Sequence, residues 1–182
     1  RLSKMEERII AAGFGGQGVM ALGQMLTYAG MVEDKHVSWV PSYGVEMRGG
    51  TANCNVVISD ELVGSPVVID ATTVFVLNQP SFDKFEKSVV PGGKLFVNSS
   101  LIDSKSERED IDVYYVPAND IANELGNSRV TNMAMLGAYL EITKIVGMDS
   151  VEKAYGEVFG ERKAHLFPIN KEAIDKGAES VR

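Results

Sequence analysis

A glycine-rich loop between two apolar segments is the feature that most constrains the fold of this chain. Residues 8–12 have the composition of a short buried strand, and Gly13-Phe14-Gly15-Gly16-Gln17-Gly18 follow directly. Residues 19–32 then carry apolar side chains at the spacing of a helix. A strand that turns through glycines into a helix is the opening unit of a sheet covered by helices, so we expect an α/β fold.

The rest of the chain continues the same alternation. The turn Pro91-Gly92-Gly93 separates two of the later segments, and Pro41 is expected to end the second strand because proline has no backbone donor. The pattern predicts an α/β, Rossmann-like three-layer sandwich with a mostly parallel sheet. Further strands are predicted at residues 36–40, 51–59, 74–77, 94–97 and 113–116, and further helices at 82–87, 120–125, 132–146 and 150–159.

The chain has room for one domain and a tail. Its 182 residues with 45% hydrophobic content match one ordinary domain, which we place at residues 1–164. Pro168-Ile169-Asn170 is expected to break the chain before a short amphipathic helix at residues 171–181. Residues 165–182 are therefore predicted to form a tail helix that docks on this domain or on a neighbour.

Charge and cysteine content exclude several functions. A net charge of -7 argues against nucleic acid or an anionic membrane as the main partner. The single cysteine, Cys54, cannot form an internal disulfide or supply a zinc or iron–sulfur site, and we expect it to be a buried apolar residue. The charged first residues and the lack of a long apolar run predict a cytoplasmic protein.

The glycine loop has the spacing G-x-G-x-x-G at Gly13, Gly15 and Gly18. Backbone N–H groups of such a loop, with Gly16 and Gln17, could bind an anion at the start of the following helix. The same glycines could instead only permit close packing of strand and helix. A dinucleotide site also needs an acidic residue at the end of the second strand, and this chain has Trp39-Val40-Pro41 there.

A second loop collects polar side chains of several kinds: Ser42, Tyr43, Glu46 and Arg48. Loops after neighbouring strands of a parallel sheet lie together, so this loop is expected to face the glycine loop. The alternative is an internal ion pair between Glu46 and Arg48 that holds the loop rigid. Neither histidine, His36 or His165, stands near Ser42 in the sequence, and we assign no catalytic residue and no metal ligand to this chain.

Three segments together resemble the γ subunit of 2-oxoacid:ferredoxin oxidoreductases. They are the glycine loop with Val19, the run Ser42-Tyr43-Gly44-Val45-Glu46-Met47-Arg48-Gly49-Gly50, and Val57-Ile58-Ser59-Asp60. The resemblance covers nearly the whole chain, and the segment from Lys163 to Lys171 looks closest to the separate γ chain of 2-oxoglutarate enzymes. It implies that residues 1–164 are a pyruvate/ketoisovalerate oxidoreductase γ-type domain.

The resemblance also implies what the assembly does. Members of this family oxidatively decarboxylate a 2-oxoacid, here expected to be 2-oxoglutarate, with coenzyme A as a substrate, and pass electrons to ferredoxin. Thiamine diphosphate, Mg²⁺ and iron–sulfur clusters are expected in partner subunits (α, β and a ferredoxin-like δ), because this chain lacks their binding signatures. The chain would be a site-completing subunit of a hetero-oligomer with no bound cofactor of its own. The alternative is a free-standing nucleotide- or phosphometabolite-binding protein that uses the glycine loop.

Overall fold

The computed structural model describes residues 4–43 and 51–182, with the side chain of Tyr43 left undescribed. The predicted alternation of strands and helices is confirmed. The strands are β1 (Glu6–Phe14), β2 (His36–Tyr43), β3 (Thr51–Ser59), β4 (Ala71–Val76), β5 (Val89–Asn98) and β6 (Asp112–Val116). The helices are α1 (Val19–Val32), α2 (Gln79–Phe85), α3 (Ala118–Glu124), α4 (Thr131–Thr143), α5 (Met148–Phe159) and α6 (Phe167–Glu179).

Six strands form one mixed sheet in the order β2-β3-β1-β4-β5-β6. The pairs β1–β4, β4–β5 and β5–β6 are parallel, whereas β3 runs antiparallel to both of its neighbours, β1 and β2. Only β3 therefore points the other way, because it returns from β2 as the second strand of a hairpin. The prediction of a mostly parallel sheet is confirmed, with this one reversal.

The chain switches sides of the sheet between β1 and β4. From β1 it crosses by α1 to β2 at one edge, and from β4 it passes through α2 toward β5 and the other edge. The carboxyl ends of β1 and β4 thus flank the crevice where open α/β sheets bind their ligands. The glycine loop lies at this crevice, since it follows β1 directly.

Three prolines do not end or separate elements as the sequence predicts. Pro41 does not end β2, since it pairs with Cys54 and the strand continues to Tyr43; β2 is an edge strand, where a missing N–H is tolerated. Pro91-Gly92-Gly93 lie within β5 in a bulge between the pairs Ala71–Val89 and Thr73–Lys94. Pro168 lies in the first turn of α6, where its missing N–H has no intrahelical partner to lose.

The two sides of the sheet are covered unequally. The larger core lies under α1, α4, α5 and α6 and contains a cluster of four aromatic rings, Phe75, Phe96, Tyr114 and Tyr139. Cys54 belongs to this core with no exposed surface, and burial raises the pKa of its thiol to about 12. The expectation that Cys54 is a buried apolar residue is therefore confirmed. Within the described residues, no helix is long and apolar enough to cross a bilayer.

Helices α4 and α6 pack with their backbones almost in contact. A β-carbon added to Gly137 would lie 1.9 Å from the carbonyl oxygen of Ile174, and one added to Gly177 would lie 1.9 Å from that of Ala134. Each glycine therefore faces the backbone of the other helix, and neither site has room for a side chain. The tail helix packs on this domain through that contact.

Replacing Gly137 with alanine should destabilise the protein, because the added methyl group forces α4 and α6 apart. We expect the free energy of unfolding to fall by about 2–4 kcal/mol in urea titration. Gly156→Ala in α5 is the matched control: its added β-carbon meets nothing within 4 Å, so it should stabilise the helix by up to about 1 kcal/mol. Equal losses in both variants would contradict the close contact.

Candidate functional site

The glycine loop forms one wall of a cleft of about 410 Å³ at the carboxyl edge of the sheet. Residues from three other segments complete the cleft: Ala52 at the start of β3, Phe159 at the end of α5, and, before and within α4, Ser128, Arg129 and Asn132. The loop therefore does not lie on an isolated strand–helix turn. It faces a second wall built from the C-terminal half of the chain.

Two glycines of the loop leave the cleft open. A β-carbon on Gly15 or Gly16 would meet nothing within 4 Å, and Gly16 has a positive φ of 90°. Gly18 also has a positive φ, 78°, and stands at the cap of α1. The loop backbone is thus bare on the side facing the cleft, which permits close approach of a ligand or of another chain.

The side chain of Gln17 closes the glycine loop through two hydrogen bonds. Its side-chain oxygen accepts a hydrogen bond from the backbone N–H of Phe14 at 2.6 Å, and its amide nitrogen donates to the carbonyl of Leu77 at 3.2 Å. Leu77 follows β4 directly, so Gln17 ties the glycine loop to the end of the neighbouring strand. The Leu77 carbonyl also accepts from Asn98 at 3.2 Å, which extends the connection to β5.

Two long helices begin at this cleft. Val19, Met20 and Ala21 form the first turn of α1 and line the cleft; the first N–H groups of a helix have no intrahelical acceptor. Helix α4 begins at Thr131 on the opposite wall. The positive ends of two helix dipoles therefore converge on one space, which favours an anionic ligand.

Asn132 joins the two helix starts. Its amide nitrogen donates to the carbonyl of Gly18 at 3.0 Å, and its side-chain oxygen is buried without a hydrogen-bond partner among the described residues. A β-carbon on Gly18 would lie 2.5 Å from this amide. The close contact explains why a glycine stands at this cap, in addition to its positive φ.

Arg129 supplies a positive charge to the cleft. The side chain is exposed, and none of the ion pairs found among the described residues involves it. Its backbone N–H donates to the side chain of Asn127 at 2.9 Å, which fixes the short helical turn Ser128–Val130 that leads into α4. The turn places Arg129 in the lining of the cleft, and its exposed guanidinium is available to an anion.

The second predicted loop begins beside the glycine loop. Tyr43 pairs with Ala52, and Ala52 pairs with Gly13, so the end of β2 lies two strands from the end of β1, a distance of about 10 Å at ordinary strand spacing. Ser42 is exposed at this edge. Glu46 and Arg48 lie outside the described residues, and their roles stay predictions from the sequence.

Arg129 and Asn132 were missed by the sequence reasoning. Asn132 was identified only as the start of a helix, and it lies 114 positions from Gly18. No local pattern signals a pairing over that distance. The sequence carried one usable signal for this wall, which is an arginine next to a predicted helix start. In a parallel α/β fold such helix starts gather at one edge of the sheet.

Replacing Gly18 with alanine should distort the wall of the cleft. We expect a loss of about 2–3 kcal/mol in unfolding free energy, because the new side chain has an unfavourable φ and overlaps Asn132. Gly15→Ala, at a position with no positive φ and open space, should leave stability within about 0.5 kcal/mol of the parent. Urea titration of both variants measures the difference, and a tolerated Gly18→Ala would show that the contact with Asn132 is not tight.

Comparison with known proteins identifies relatives over almost the whole chain. The ketoisovalerate oxidoreductase subunit VorA of Methanothermobacter marburgensis is 41% identical over 179 residues, which are 97% of this chain and 37% of VorA. The 2-oxoglutarate synthase subunit KorC of Methanocaldococcus jannaschii is 37% identical over 85% of this chain and 84% of its own length. This chain thus spans little more than a third of VorA but most of KorC.

A solved structure and a family model agree with these relatives. The γ subunit of a keto/oxoacid ferredoxin oxidoreductase from Geobacter sulfurreducens superposes with a TM-score of 0.79 at 28% identity, over 96% of this chain and 98% of that one. The model of the family described as pyruvate ferredoxin/flavodoxin oxidoreductase matches residues 8–180. Together with the shared fold, these matches show that the chain belongs to the pyruvate ferredoxin/flavodoxin oxidoreductase family.

Proposed function

We propose that this chain is the γ subunit of a multi-subunit 2-oxoacid:ferredoxin oxidoreductase. The assembly would convert a 2-oxoacid and coenzyme A to acyl-CoA and CO₂ and reduce ferredoxin. The observation that supports the proposal most is the match to separate oxidoreductase subunits over nearly their full length, including KorC and the Geobacter γ subunit. The α, β and δ partners and the cytoplasmic location stay predictions from the sequence.

The described residues do not group as ligands for the iron–sulfur clusters or the metal ion of such an enzyme. Cys54 is the single cysteine and is buried, so it cannot hold an iron–sulfur cluster. Among residues 4–43 and 51–182, no three histidine, cysteine, aspartate or glutamate side chains are grouped as metal ligands. In this proposal, as the sequence predicts, thiamine diphosphate, Mg²⁺ and the clusters belong to partner subunits, and no step of the reaction is assigned to them here.

The cleft at the glycine loop suits the phosphates of coenzyme A. Coenzyme A is the phosphate-bearing substrate of the proposed reaction, and its phosphates need hydrogen-bond donors and positive charge. The cleft offers N–H groups in the first turn of α1 together with the guanidinium of Arg129. In this proposal the chain binds and orients coenzyme A, and the decarboxylation takes place on partner subunits.

The unpartnered oxygen of Asn132 fits the same ligand. This oxygen can accept a hydrogen bond from a donor group, which a fully ionised phosphate does not have. Coenzyme A carries amide N–H and amino groups besides its phosphates. Coenzyme A therefore brings both kinds of group to the wall that contains Asn132.

The proposed function is tested by purifying the tagged chain from its native cells and measuring coenzyme A-dependent reduction of a viologen dye. We expect other subunits to co-purify and the eluate to be active with 2-oxoglutarate. Pyruvate and ketoisovalerate are assayed in parallel, because the relatives are named for all three 2-oxoacids. A chain that elutes alone and is stabilised by nucleotides in thermal denaturation would instead support the free-standing phosphometabolite-binding protein.

Replacing Arg129 with alanine should weaken coenzyme A binding in the purified complex. We expect the KM for coenzyme A to rise about tenfold or more with little change in kcat, because one charge-assisted hydrogen bond is lost in the ground state and the transition state alike. The KM for the 2-oxoacid should not change. Arg162→Ala, an exposed arginine that does not line the cleft, is the control; equal kinetics of both variants would exclude Arg129 from the site.

Arg48 gives a separate test of the second loop. If the loop faces the reacting partners, Arg48→Ala should lower turnover of the complex while the melting temperature of the isolated chain stays the same. Unchanged turnover would favour the alternative, an ion pair between Glu46 and Arg48 that serves only the loop itself.

A further inference from the structure

We propose that Asn98 is a positioning residue for the glycine loop, although it is not among the residues that line the cleft. Asn98 is the last residue of β5, and its side chain has no exposed surface. It acts on the loop through two intermediates, the backbone carbonyl of Leu77 and the side chain of Gln17. The inference rests on the proposed function, because the loop that Asn98 positions is the wall at which coenzyme A is proposed to bind.

The amide nitrogen of Asn98 makes two hydrogen bonds. It donates to the carbonyl of Leu77 at 3.2 Å and to the side-chain oxygen of Asn119, in the first turn of α3, at 2.7 Å. Because the Leu77 carbonyl can only accept, the nitrogen of the amide must face it. The orientation of the Asn98 side chain is therefore fixed.

The oxygen of the same amide is buried without a hydrogen-bond partner among the described residues. A buried acceptor without a partner lowers the stability of a protein, and an apolar side chain at the same place would not have this cost. The presence of an amide at position 98 is therefore explained by what its nitrogen holds, which includes the carbonyl of Leu77.

The carbonyl of Leu77 lies where the ladder between two strands has ended. The last paired residues of β4 and β5 are Val76 and Val97, and Leu77 is the first residue after β4. Among the described residues, this carbonyl accepts hydrogen bonds from two side chains, Asn98 and Gln17, both at 3.2 Å. Asn98 therefore sets the direction of the carbonyl to which Gln17 is attached.

Gln17 transmits this position to the glycine loop. Its side-chain oxygen accepts from the N–H of Phe14 at 2.6 Å, and its own backbone N–H donates to the carbonyl of Phe14 at 3.2 Å. The space around this contact is tight, since a β-carbon on Gly13 would lie 2.6 Å from the Gln17 oxygen and 3.0 Å from the β-carbon of Leu77. A shift of the Leu77 carbonyl would therefore move Gln17 and, with it, the bare glycines that line the cleft.

The position of the loop is tested by hydrogen–deuterium exchange of the protein purified by its tag from native cells. In Asn98→Leu, which keeps a branched side chain but cannot donate, we expect the amides of residues 14–18 to exchange about tenfold faster than in the parent. Asn98→Ala gives the same comparison without added volume. Tyr139→Phe is the matched control, because it also removes a buried hydrogen bond, to Glu7 at the opposite edge of the sheet, and should leave these amides at the parent rate.

The kinetics of the purified complex give a second measurement. Asn98→Leu should raise the KM for coenzyme A about threefold to tenfold, with kcat and the KM for the 2-oxoacid unchanged, because the displaced loop weakens binding in the ground state and the transition state alike. In a Gln17→Met background the same change should raise the KM no further, because Asn98 acts through Gln17. Tyr139→Phe should keep the parent KM.

The outcomes separate this inference from the proposed function. Parent exchange rates in both Asn98 variants, or an equal change in Tyr139→Phe, would overturn the positioning role. An additive rise of the KM in the double variant, or faster exchange with an unchanged KM, would overturn the route to coenzyme A. A parent protein without coenzyme A-dependent activity would overturn the proposed function, and the exchange rates would still decide whether Asn98 holds the loop.

Discussion

The hydrogen bond from Asn132 to Gly18 is the contact on which the cleft depends. It joins the start of α4 to the start of α1, and at the cap of α1 the same Gly18 carbonyl accepts from Leu22 at 2.9 Å. Without it the two helix starts would have no direct side-chain tie at this point. The bond keeps the start of α4 against the glycine loop, so Arg129 and the bare glycines line one cleft.

Helix α4 connects this cleft to the rest of the molecule. It is buried around its circumference, between the sheet on one side and α6 on the other. Toward its far end, the Tyr139 hydroxyl donates to the Glu7 carboxylate at 2.8 Å, and the helix ends at Thr143 beside the start of β1. Helix α4 therefore runs from the cleft at the glycine loop to the opposite edge of the sheet, and its glycine contact with α6 fixes its position.

The fold was predictable from the sequence because hydrophobic periodicity is local. Helix α1 and strand β3 have the bounds that the pattern predicts, since glycines and polar residues mark their ends. Pro41, Pro91 and Pro168 misled the prediction because a proline ends an element only where its N–H is needed. At an edge strand, a bulge and a first helical turn it is not needed. The second wall of the cleft could not be predicted, because the pairing of Asn132 with Gly18 depends on how distant helices pack.

The wide separation of the two cleft walls along the chain has a consequence for folding. Strands β1 to β3 and helix α1 come from the first third of the sequence and pair with one another, so the glycine-loop wall can form early. The wall that carries Arg129 and Asn132 requires α4 to dock from far along the chain. A partly folded molecule can therefore present the glycine loop without its cleft, and a bound anion or subunit would selectively stabilise the molecules that have completed folding.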